Sequence, residues 1–146
     1  MDFIKQHWPW LFIIFIIFVF VQSLFFKFAG SQETVIIFNT IGDWMASIGI
    51  PQGLADAFKS GGGWAVGLTE LVACALLLRA PTRFLGALLA IGVMSGAIFF
   101  HLFTPLGVDR AIDAAGNTDG GALFFMACGV WVSAAITAYL NRPQSA

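Results

Sequence analysis

Residues 8–26 read WPWLFIIFIIFVFVQSLFF, nineteen residues without a charge. A helix rises ~1.5 Å per residue, so this stretch is ~28 Å long, close to the ~30 Å hydrocarbon core of a bilayer. Backbone groups in lipid must find partners within their own segment, so the stretch is expected to be a helix. It is longer than the ~7–15 residues of a signal-peptide core, and its start is barely basic, with Asp2 set against Lys5. It is therefore expected to stay in place as a first membrane span, about residues 8–28.

The rest of the chain repeats the pattern. Further apolar stretches run over about 61–79, 84–103 and 120–140. Across all 146 residues, 59% are hydrophobic and 10% charged, and the mean hydropathy is +0.88. A soluble domain carries about 25% charged residues, so this chain lacks the polar surface to cover itself in water. With a formal net charge of −1 it also has no basic field for nucleic acid. The expected fold is all-α, one membrane domain over 1–146: an antiparallel four-transmembrane-helix bundle.

The segment between the first two spans is too long to be a bare loop. Ile37, Ile41, Trp44, Met45 and Ile48 recur at helical spacing, with Asn39, Thr40, Asp43 and Ser47 opposite. This predicts an amphipathic helix over about 33–49, lying on the outer surface and ending before Pro51. A short turn is expected around Leu54 to Phe58, and Gly61-Gly62-Gly63 reads as a flexible joint into the second span.

Lys5, Arg79, Arg83 and Arg142 fall on one side of this topology, in short flanks. Lys27, Lys59 and Arg110 fall on the other, mostly in longer loops, with Glu33, Asp43, Asp56, Asp109, Asp113 and Asp119. The positive-inside rule then puts both termini in the cytoplasm of a bacterial inner-membrane protein. Trp8, Trp10 and Tyr139 mark the inner interface and Trp44 and Trp64 the outer, while Trp131 falls mid-span. Gly63 with Gly67, and Gly92 with Gly96, form GxxxG pairs, expected to bring helices close within the bundle.

Glu70 is the one charge within the second span. A mid-helix charge costs about 2.5–3.5 kcal/mol on insertion scales, so it needs a partner, a proton or water. Helical side chains lean toward the N-terminus of their helix. In antiparallel spans Lys27, Glu70 and His101 therefore tilt into one layer, which Gln22, Ser23, Thr69, Ser95 and Asp119 can join. Glu70 is expected to bond Lys27 or His101. Two readings stay open: a buried ion pair that sets helix register, or a pocket for a quinone-like headgroup, a thiol or a relayed proton.

Other chemistry is sparse. His7 and His101 lie near opposite faces and cannot share a metal, and no metal site is expected. Cys74 and Cys128 sit inside spans and read as packing residues, though they can meet across the bundle. The acidic loop 109–121 lacks a calcium-loop register and reads as turns plus a cap for the fourth span. No catalytic motif is present.

Lys27-Phe28 closes the first span, and an amphipathic segment follows. Gly67 and Glu70 lie in the second, and Leu76 to Leu78 precede a basic turn. Gly96-Ala97 and His101 lie in the third, and Asp119-Gly120-Gly121 opens the last. In this order and spacing, over about residues 11–140, the chain resembles the DoxX-like family of small four-helix membrane proteins. The resemblance implies a compact bundle, an association with quinone and sulfur redox chemistry, and Lys27, Glu70 and His101 as its polar cluster.

The function expected is that of a non-catalytic accessory or scaffold subunit of a larger complex in electron-transfer, photosynthetic or respiratory membranes. Its partners would be the lipid bilayer and other membrane subunits. The alternative is a quinone-linked membrane oxidoreductase component using the Glu70, His101 and Lys27 cluster. Quinone, lipid and pigment contacts are the cofactor classes left open, and no motif fixes one. A carrier or channel ranks last, since no inverted repeat is visible.

Overall fold

The computed structural model describes residues 2–143, with side chains from Gln6 onward. The side chain of Lys5, counted above in the orientation, and the polar end from Gln144 lie outside the described residues. Five α-helices follow in order: α1 (Asp2–Phe28), α2 (Gln32–Ser47), α3 (Gln52–Leu78), α4 (Arg83–Phe103) and α5 (Ala122–Leu140). Four of them, α1, α3, α4 and α5, are long and apolar enough to cross a membrane.

Each of these four packs against two of the others, α1 on α3 and α5, and α4 on α3 and α5. Ile13, Ile16 and Phe20 of α1 fill the centre against Ala73 and Leu77 of α3. Ala87 and Ala90 of α4 and Val130 and Ala134 of α5 complete it. Large side chains from one helix thus meet alanines from the others, as close helix packing requires. The outer faces are equally apolar. Leu11, Phe18 and Phe25 are 68%, 63% and 74% exposed, a surface suited to lipid rather than water.

The amphipathic helix forms nearly where its periodicity placed it. Gly30, at φ +60°, turns the chain after α1, and the Ser31 hydroxyl caps α2 by accepting the Thr34 amide. Its buried face differs from expectation. Thr34, Phe38, Ile41 and Gly42 are buried, while Ile48 is exposed. The helix is rolled because it packs on α3 rather than lying free on a surface. Lys59 of α3 pins it from the side, its Nζ 2.6 Å from Asp43.

Gly61-Gly62-Gly63 is not a joint, and no separate turn stands at 54–58. Both lie within the continuous helix α3, so the span expected over 61–79 is only its last two-thirds. Three glycines disfavour a helix by about 1 kcal/mol each relative to alanine, but here contact decides. A Cβ at Gly62 would sit 2.7 Å from the Phe38 ring, and one at Gly63 would sit 3.2 Å from Thr34. The glycines let α2 approach, and burial of Phe38 outweighs their poor propensity. Gly67 plays the same part for α1, with Phe28 2.8 Å from a Cβ there. The first GxxxG pair is thus an internal contact. The second is not a contact at all: a Cβ at Gly92 or Gly96 meets nothing within 4 Å.

The loop from Thr104 to Gly121 is built from carboxylate-to-amide bonds. Asp113 Oδ1 accepts the amides of Ala115 and Asn117, closing a turn between Ala111 and Thr118. Asp109 accepts the Gly120 amide, and Asp119 accepts those of Gly121 and Leu123, capping α5. Gly120 and Gly121 have φ of +65° and +84°, so α5 starts at Ala122 rather than at 120.

Candidate functional site

Lys27 lies in the last turn of α1, Glu70 about two-thirds of the way along α3, and His101 in the last turn of α4. Lys27 Nζ donates to both Glu70 carboxylate oxygens at 2.8 Å and also to the Ser23 hydroxyl one turn back. Glu70 is 2% exposed. Its cation is therefore Lys27, as the opposed tilts of the two side chains allow.

His101 does not join that pair. Its ring, 3% exposed, turns to the following loop, where Nδ1 lies 2.7 Å from the Gly107 carbonyl oxygen. Phe124 of α5 packs edge-on against it. Thr104 ends α4 in an extended conformation, and Gly107, at φ +72°, folds the chain back. This brings its own carbonyl to the ring, so His101 takes a local acceptor while Lys27 takes the Glu70 carboxylate.

Of the five other polar residues expected in this layer, Gln22 borders the cavity described below, and three more find separate partners. Ser23 joins the Lys27–Glu70 pair. Thr69 donates to the Ala65 carbonyl of its own helix at 2.8 Å. Ser95 accepts the Trp131 indole N–H at 3.0 Å. Trp131, placed mid-span by the sequence, thus fastens α5 to α4 at the exposed surface of the bundle, where it is 38% exposed. Cys74 and Cys128 are both free thiols.

Asp119 belongs to a cluster that sequence reasoning missed. Arg110, counted only as a loop cation, is 4% exposed. Its Nη2 donates to Glu33 Oε2 of α2 at 2.9 Å, and its Nε lies 3.3 Å from Asp119 Oδ2. Arg110 thus ties the loop before α5 to α2. The signal was a single arginine in a loop otherwise carrying three aspartates, since a cation in such company is drawn in to pair.

The Lys27–Glu70 pair with Ser23, Thr69 and His101, and the Arg110 cluster with Glu33 and Asp119, border one cavity of about 620 Å³. Its walls are mostly apolar, with Phe20, Phe38, Met94 and Phe100 among them, and Lys27, Glu70, His101, Arg110 and Asp119 supply polar patches. Gly92 and Gly96 form part of α4's wall, which explains why nothing opposes them. The space falls within the ~300–1,000 Å³ range of small-molecule sites, which are mostly apolar with a few placed polar groups. No protein family, curated protein or solved structure matches the chain. The site's chemistry is therefore read from its own residues.

Proposed function

We propose that this protein is a multi-pass membrane protein whose bundle binds a small molecule with an apolar body and a polar head, a quinone being the candidate class. The observation that carries this is the cavity itself, bordered by Lys27, Glu70, His101 and Arg110 and lying among helices apolar enough to span a bilayer. A structural ion pair alone needs no empty volume beside it, because packed apolar groups serve stability as well.

In this reading the four spans run antiparallel, with both termini on the cytoplasmic side of a bacterial inner membrane. Three contacts support it. Arg83, at the start of α4, lies over the Trp10 ring near the start of α1, and Arg142, just past α5, lies over Tyr139. Lys27, at the other end of α1, reaches Glu70, eight residues before the end of α3. The cations that orient the chain are thus gathered beside interfacial aromatic rings.

The DoxX-like resemblance belongs to the same reading. Its motif residues converge: Lys27 bonds Glu70, Phe28 packs on Gly67, and His101 and Asp119 border the cavity. The accessory-subunit reading draws on a second feature, a lipid-facing groove of about 520 Å³ lined by Trp10, Ile14, Phe18 and Leu78, of a shape to seat a partner helix.

The test is thermal unfolding of the purified protein in nanodiscs titrated with a decyl-substituted benzoquinone. A ligand that binds the folded state raises the melting temperature with concentration. Gly96→Leu, which grows into the cavity, should abolish the rise. An unchanged melting temperature at saturating quinone overturns the quinone assignment. Stoichiometric co-elution of other membrane subunits in mild detergent would favour the accessory reading instead.

A further inference from the structure

Lys27, Lys59 and Arg110 each pair with a carboxylate. The two arginines of the turn between α3 and α4 do not. Arg79 is exposed, and its side chain makes no hydrogen bond or ion pair among the described residues. Arg83 donates its Nε–H to the Leu77 carbonyl at 3.0 Å and lies over the Trp10 ring, 4.6 Å from the ring centre. Its two terminal nitrogens bond nothing among the described residues. A guanidinium keeps its charge, and its forked donors match the oxygens of a phosphate. Two such groups with open donors favour an anion from outside the chain.

Both arginines adjoin the groove of about 520 Å³ on the lipid-facing side of α1. Arg83 sits on Trp10, which lines it, and Arg79 directly follows Leu78, which also lines it. From there Trp10, Ile14, Phe18 and Val21 carry the groove along one face of the helix as far as Phe25. At ~1.5 Å per residue that is a track of ~22 Å, longer than the ~15 Å that one leaflet contributes to a ~30 Å hydrocarbon core. Shape alone admits a helix or an acyl chain, and the uncompensated charge at one end discriminates between them. An apolar track that ends in open guanidiniums, at the level of an interfacial tryptophan, is matched by a single molecule with a phosphate head and an acyl tail.

We propose that this groove is a binding site for an anionic phospholipid, its phosphate on Arg79 and Arg83 and one acyl chain along Trp10, Ile14 and Phe18. A choline head brings its own cation and neutralises its phosphate, so the two arginines select a lipid of net negative charge. The groove shares only Gln22 with the cavity, so this site holds or fails independently of quinone binding.

The probes are dioleoyl phosphatidylglycerol and dioleoyl phosphatidylcholine, which have the same chains and differ in net charge. The purified chain in detergent micelles is titrated with each, and retained lipid is counted by native mass spectrometry. One arginine near an anionic headgroup is worth about a fivefold change in affinity, so phosphatidylglycerol should bind about thirtyfold tighter. Arg79→Gln and Arg83→Gln should each cut the preference about fivefold. Arg142→Gln removes a cation that lies over Tyr139, outside the groove, and should leave the preference unchanged. Val21→Trp fills the groove and should weaken both lipids. Arg79 is exposed and bonds nothing, so its variant decides the matter should Arg83→Gln fail to fold.

Equal affinities for the two lipids, or a preference untouched by Arg79→Gln, would overturn the assignment. An equal loss in Arg142→Gln would overturn it too, because diffuse surface charge would then account for the binding. Undiminished binding in Val21→Trp would put the lipid elsewhere on the bundle. Glycerol 3-phosphate binding as tightly as phosphatidylglycerol would leave the acyl chain without a role. In native membranes Phe18→benzoylphenylalanine should cross-link to phospholipid, and a cross-link to a polypeptide instead would give the groove to a partner helix.

Discussion

Replacing Lys27 by methionine would leave Glu70 a buried carboxylate with no cation beside it. Both Lys27–Glu70 contacts are 2.8 Å and Glu70 is 2% exposed, so little solvent can fill the gap. Breaking a buried pair from one side costs about 3–5 kcal/mol. The carboxyl has one escape, which is to take up a proton. For an ordinary glutamate, with a pKa of about 4.3, neutralisation at pH 7 costs about 3.7 kcal/mol, which caps the loss. The expected penalty for Lys27→Met is therefore about 3 kcal/mol at pH 7. The cap falls by about 1.4 kcal/mol per pH unit, so at pH 5 the penalty shrinks to about 1 kcal/mol. Adding Glu70→Leu removes the orphaned charge and should return stability to within about 1 kcal/mol of the native chain. The assay is reversible unfolding by sodium dodecyl sulfate in mixed micelles, followed by helical circular dichroism, for all four members of the cycle. A Lys27→Met penalty below about 1 kcal/mol at pH 7, additive effects of the two substitutions, or a penalty indifferent to pH would refute the reasoning.

Three further outcomes are expected. Gly86→Ala should cost about 1–3 kcal/mol in the same unfolding assay, because its Cβ would sit 2.8 Å from the Leu77 backbone nitrogen, whereas Gly92→Ala, facing open cavity, should cost nothing measurable. Trp131→Phe should lose about 0.6 kcal/mol, a typical hydrogen bond between membrane helices, and combining it with Ser95→Ala should add little more. The Asn117 side-chain amide, then the backbone amides of Asn117, Ala115 and Gly116, hold the Asp113 carboxyl below the usual aspartate range. Its folded pKa is thus below its unfolded one. The turn it stabilises is intact above the ordinary aspartate range and loosens as pH falls through the lowered value. Amide resonances of Ala115 and Asn117 should report that loosening, and Asp113→Ala should show it already at neutral pH.

Sequence reading went furthest where one physical term dominates. Four runs of apolar residues set the long helices, because lipid leaves the backbone no alternative. Glu70's need for a partner was legible from its place in an apolar span, and Lys27, the partner found, was one of two candidates. Elsewhere competing terms hid the answer. The three glycines at 61–63 disfavour a helix locally, and only the Phe38 ring in space shows why the helix continues through them. Phe38 itself stood outside the apolar stripe drawn from Ile37 to Ile48, because a helix packing on a neighbour buries a different arc than one lying on a surface. His101 was the other candidate, but Gly107 supplies it with an acceptor through a turn whose geometry composition does not reveal. Arg110 was hidden in a loop, since its role depends on α2 lying alongside, 77 residues away at Glu33. The cavity was beyond reach for the same reason: a void is what packing leaves over, and no single segment encodes it.

The Lys27–Glu70 pair also bears on biogenesis. The α3 span has a mean hydropathy of 1.6 against 2.5 for α1, and it brings the buried carboxylate. Released alone from the translocon, it would carry that charge into acyl chains unaided, at about 2.5–3.5 kcal/mol. The first span is strongly lipophilic and emerges first, with the ammonium at its trailing end. Partitioning of the later segment is thus made conditional on the earlier one, and the nascent chain acquires a checkpoint: a ribosome product that loses its leading span is penalised at the lateral exit before it can persist as a stray.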